Sequence, residues 1–87
     1  MRIGATPEEL TALKGVFDAQ AGKVDELVAA VNSKLGAVDW QGPAHDKFQN
    51  LWETQFKTAL RNLQESLRAA GNEAQRVGEN IRIAGTS

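Results

Sequence analysis

Five residues, Asp39-Trp40-Gln41-Gly42-Pro43, divide the chain into two long halves that both carry helical spacing of apolar side chains. Within them Gly42 suits the N-cap of a second helix and Pro43 its first position. The link from Ala37 to Gly42 is short, so the helices must be antiparallel neighbours. The pattern predicts an all-α fold, an antiparallel helical hairpin forming a single domain over residues 1–87. Helix 1 is expected at about 7–36, the bend at 37–42 and helix 2 at about 43–80, with flexible termini.

Thr6-Pro7-Glu8-Glu9 opens helix 1. Thr6 suits an N-cap, Pro7 the first helical position, and Glu9 completes a capping box. Leu10, Phe17, Val24, Val31 and Val38 follow at seven-residue intervals. Leu13 and Leu27 fill the positions between, interrupted by Gln20 and Lys34, and Val16, Val28 and Leu35 widen the stripe. Gly15 and Gly22 read as surface glycines, and Gly36 as the residue that ends the helix. In helix 2, Trp52, Phe56, Leu60, Leu63, Leu67, Ala70, Ala74, Val77 and Ile81 mark one face. Glu53, Lys57, Arg61 and Glu65 mark a solvated one, with Glu53–Lys57 and Arg61–Glu65 placed to pair. Gly71 and Gly78 are expected to weaken the last turns.

A core of 87 residues is marginal, and the chain has no cysteine for a disulfide or thiolate site and only one histidine. Its ten basic and eleven acidic residues leave a net charge of −1, without the basic excess a nucleic-acid or anionic-membrane surface needs. No apolar run is long enough for a membrane span and no apolar h-region follows Met1. Stabilisation is therefore expected from a partner chain. Two helices bury one seam, yet Val16, Phe17, Val28, Leu51, Trp52 and Phe56 leave apolar surface beyond it. These six are the candidate dimer-interface residues, and two paired hairpins make a four-helix bundle.

Little here suits catalysis. His45 has no nucleophile near it in sequence, and Asp39 and Asp46 suit capping and helix-dipole roles. No enzyme activity, metal or cofactor is expected. Trp40 either packs over the helix ends or stays exposed as an anchor. Gly42 allows close backbone approach or an unusual dihedral.

A Trp40-Gln41-Gly42 bend at the centre of a short, cysteine-free hairpin with a capped first helix, followed by Ala44 and Phe48, resembles the WXG family of small helical hairpins, related to early secreted antigenic target proteins. The resemblance covers nearly the whole chain. It implies a secreted substrate, chaperone or co-secreted partner of a type VII (ESX) secretion system, exported as a folded dimer by a signal-peptide-independent route and cytoplasmic before export. It also implies pairing as a homodimer or as a heterodimer with a related WXG hairpin. Trp40 and Gly42 become the export and bend motif met by the secretion ATPase and export machinery. Members with an autonomous signal carry a tyrosine followed four residues later by Asp or Glu. This chain has no tyrosine, and Gln75 stands four residues before Glu79. A sister chain would then supply that half of the signal. The rival readings are a cytosolic helical adaptor and a targeting module for a larger exported toxin.

Overall fold

The computed structural model of the chain describes residues 5–86. Helix α1 (Pro7–Ala37) leads through a bend to α2 (Pro43–Leu51), a π turn (Trp52–Phe56) and α3 (Lys57–Thr86). No strand occurs among the described residues. The molecule measures 66 × 21 × 18 Å. The expected loose segments at 1–4 and at Ser87 lie outside the described residues.

The start of α1 is closed reciprocally. Glu9 N–H donates to Thr6 Oγ1 and Thr6 N–H donates to Glu9 Oε1, each at 3.1 Å. Glu8 and Glu9 sit at the positive end of the helix dipole and Lys34 in the last turn. The helix was expected to end on Gly36 in a left-handed cap, and it does not. It continues to Ala37, and Val38 follows in extended backbone while donating to Lys34 O at 3.0 Å. The positive φ falls instead on Gly42, at φ 108° and ψ −179°, a region open to glycine. Beyond its chain neighbours, no atom lies within 4 Å of where its Cβ would stand, so backbone conformation, not close approach, requires glycine there.

The seam between α1 and α3 alternates four- and three-residue steps through Leu10, Lys14, Phe17, Ala21, Val24, Val28, Val31 and Leu35. The intervening positions are therefore Lys14, Ala21 and Val28, not Leu13, Gln20 and Leu27. Leu13 and Leu27 stand exposed, and Ala21, Val24 and Val28 are buried. Sequence periodicity misassigned these positions because Lys14 does not look like a seam residue. Its stem packs beside Gly71 while its ammonium reaches Asp18 Oδ2 at 2.5 Å. Across from them α3 presents Leu60, Gln64, Leu67, Gly71, Ala74 and Gly78, all buried or half-buried. Near the bend, Trp52, Val24 and Val28 form the core, with Val31, Leu35, Leu60 and Leu67 against it.

Toward the chain ends α3 lines the seam with the small residues Gly71, Ala74 and Gly78. A Cβ on Gly71 would stand 3.1 Å from Asp18 Oδ1 and 3.3 Å from Phe17 Cβ. One on Gly78 would stand 3.3 Å from Leu10 Cβ. These glycines set the helix spacing instead of weakening the helix. That support explains why α3 runs to Thr86, past the expected end near 80 and through Gly85, which was expected in a loose tail. Ile81 is half-buried, and Arg82 Nη1 pairs with Glu79 Oε1 at 3.0 Å. Gly15 and Gly22, by contrast, face open space.

Candidate helix-helix interface and the tryptophan bend

Polar groups close one flank of the hairpin. Arg61 Nη1 lies 2.5 Å from Asp25 Oδ1, and Arg68 Nη2 lies 4.0 Å from Asp25 Oδ2. The expected Arg61–Glu65 pairing gives way to this bridge across the seam, while Glu53 and Lys57 do pair, at 2.7 Å. Gln64 is buried. Its Nε2–H donates to Ala21 O at 2.8 Å, and its Oε1 accepts from Arg61 at 3.0 Å. Ala21 leaves room for that amide. Hydrogen bonds from Gln64 and then Arg61, with the nearby positive charge of Arg61 and Arg68, hold the Asp25 carboxyl below the usual carboxylate range. Arg76 does the same for Glu73.

A carboxylate whose folded-state pKa is depressed contributes stability above its unfolded pKa and loses it as pH falls through the folded one. The thermal midpoint is therefore expected to fall on acidification below about pH 4. Asp25→Asn is expected to flatten that dependence in melts recorded from pH 7 to pH 2.5; an unaltered slope would remove Asp25 from the account.

The other flank is apolar. Asp25 and Arg61 stand two residues before Leu27 and Leu63, hence about 200° around their helices from them. Leu27, Leu60, Leu63 and Leu67 line an open groove of about 350 Å³. Val31, Leu35, Val38, Trp40 and Phe48 line a second, of about 420 Å³, nearer the bend. Phe48 links Trp40 to Phe56, with ring centroids 6.1 and 6.3 Å apart. By helical spacing Leu13 and Val16 extend the same face toward the start of α1. The grooves carry Lys23 and Lys34 on the α1 side and no acidic residue.

The candidate interface residues divide accordingly. Val16 and Phe56 are on the open face, 55% and 44% exposed. Phe17 and Leu51 are half-buried. Val28 and Trp52, also expected to reach a partner, are buried in the chain's own seam at 4% and 5%. Trp52 earns that place because its indole N–H donates to Asn32 Oδ1 at 2.7 Å. Leu13, Leu27 and Leu63, which periodicity places on the apolar stripes without naming them as interface candidates, belong to the open face. The ambiguity is physical: a stripe three helical positions wide does not state which two positions its own partner covers.

Trp40 does both things open to it. It packs edge-on against His45, with centroids 5.3 Å apart at 83°, and remains 41% exposed. His45 Nδ1 is 3.4 Å from Asp46 Oδ1, too far for a strong hydrogen bond, so ring packing is its main contact. Beyond Trp40 lies a polar hollow of about 450 Å³ lined by Asn32, Asp39, Gln41, His45, Gln49 and Glu53. No helix among the described residues is long and apolar enough to cross a membrane. No group of three metal-ligating side chains occurs among them.

No curated protein and no solved structure matches the chain. A family model does: WXG100, proteins of 100 residues with WXG, matches residues 2–85. With Trp40 and Gly42 at the bend of a helical hairpin, the chain belongs to that family, the small helical proteins of type VII secretion.

Proposed function

We propose that this protein is a substrate or co-secreted partner of a type VII (ESX) secretion system and works by helix–helix binding. Its apolar flank pairs with a second hairpin, a copy or a related chain, to form a four-helix-bundle dimer. Trp40 and Gly42 form the bend presented to the export machinery. The protein is cytoplasmic before export and leaves without a cleaved signal peptide. The observation that carries the reading is family membership over residues 2–85 with the motif tryptophan 41% exposed at the bend. The apolar flank supports it, since contiguous apolar surface of this kind marks a protein contact.

Trp40→Arg tests the assignment. Trp40 lies outside the seam, so the helical circular dichroism of the variant is expected to match wild type. Its appearance in the culture medium is expected to fall to the background of cells lacking the secretion ATPase. Unchanged export of the folded variant would remove the motif from the mechanism.

A further inference from the structure

The turn from Trp52 to Phe56 is wound differently from the rest of its arm. Lys57 N–H bonds five residues back, to the Trp52 carbonyl, which makes this a π turn. A π turn holds one residue more than the α turn it replaces, and single ones concentrate at functional positions. Its effect here is rotational. Eight residues of α-helix carry a side chain about 80° past two full turns. Trp52 and Leu60 are eight apart, yet both pack in the core around Val24 and Val28. Phe48 and Phe56 are eight apart, yet their rings lie 6.3 Å from each other. With one residue absorbed by the wide turn, each pair behaves as if seven apart, about 20° from alignment.

Were the same residues wound as continuous α-helix, the bend segment would rotate by about 100° relative to α3. Trp52 would leave the seam, and Trp40 and Phe48 would leave the line of Phe56. The contacts opposing this are the burial of the Trp52 indole and its hydrogen bond to Asn32, on the facing helix. We propose that Trp52 and Asn32 are positioning residues: the seated indole holds the π turn and so sets the rotational register of the bend segment. That register keeps Trp40 and Phe48 in line with Phe56 on the face offered to the partner hairpin. Only the partner clause rests on the proposed function; the register is a property of the chain itself.

Deletion of Gln55 (ΔGln55) provides the decisive background. It makes both pairs seven residues apart in sequence, so alignment no longer needs a π turn. Ring-to-ring nuclear Overhauser contacts between Phe48 and Phe56 read the register, circular dichroism reads the helix, and sedimentation of each protein reads pairing with a second copy. The Phe48–Phe56 contact is expected in wild type, in ΔGln55 and in Asn32→Asp, which keeps the acceptor. It is expected to be lost in Asn32→Leu and Trp52→Ala and regained when either is combined with ΔGln55. A contact that persists in both single variants, or stays absent in the folded double variants, overturns the proposal. If one single variant fails to fold, the other single variant and its double with ΔGln55 decide. Loss and recovery of the contact with no matching change in sedimentation would uphold the register and count against the pairing reading instead.

Discussion

Gly71→Leu is expected to split the terminal half of the hairpin. A single added carbon at Gly71 already meets Phe17 Cβ at 3.3 Å, and that atom is fixed to the α1 backbone. A leucine has no way out of the seam except by forcing α1 and α3 apart. Overpacking of this kind costs about 2 kcal/mol, or a fall of roughly 10 °C in thermal midpoint for a domain of this size. Gly22→Leu is the matched control, because nothing lies within 4 Å of its Cβ position. There the better helix propensity dominates, and a rise of about 0.5–1 kcal/mol is expected. Differential scanning calorimetry of the two variants checks the pair. Equal effects at the two sites would mean that Gly71 does not set the helix spacing.

Leu27→Glu combined with Leu63→Glu is expected to leave the hairpin folded and abolish its pairing. Both leucines are exposed, at 44% and 49%, and both line one groove. In the single chain the new carboxylates stay hydrated, and glutamate is about as good a helix former as leucine. In a four-helix bundle they would be buried without partners. Dissociation constants are expected to rise about a hundredfold or more, the equivalent of roughly 2.7 kcal/mol. Ala29→Glu with Asn62→Glu adds the same charge at exposed positions away from the groove and is expected to change nothing. Sedimentation equilibrium separates the two outcomes, and pairing that survives the leucine substitutions would place the contact elsewhere.

The hairpin itself was legible because its signals agree. The Thr6–Glu9 capping box forms as written, Pro43 starts the second arm, and Glu53 pairs with Lys57. Four features resisted. The π turn was foreshadowed only by two successive four-residue steps, Trp52 to Phe56 to Leu60, where a regular seam alternates four and three. Propensity penalises Gly71 and Gly78, whereas packing needs them, and only the facing helix reveals that. Gln64 reads as a surface residue until Ala21 opposite supplies the carbonyl and the space for it. The open flank could not be told from the internal seam, because leucines and valines serve either and only the identity of the neighbour differs. That is why Val28 and Trp52 were expected to reach a partner although the chain's own seam covers them.

In the proposed function, a second hairpin completes the apolar flank of this one. Sedimentation velocity across micromolar concentrations, read beside thermal melts of the same samples, tests it most directly. The buried apolar core of the single chain is thin, consisting among the described residues of Ala21, Val24, Val28, Trp52 and Ala74. The folded species is expected to sediment as a dimer, alone or once a sister hairpin is added, with a melting midpoint that rises with concentration. A monomer that melts cooperatively, with a midpoint independent of concentration and unmoved by any sister hairpin, would contradict it.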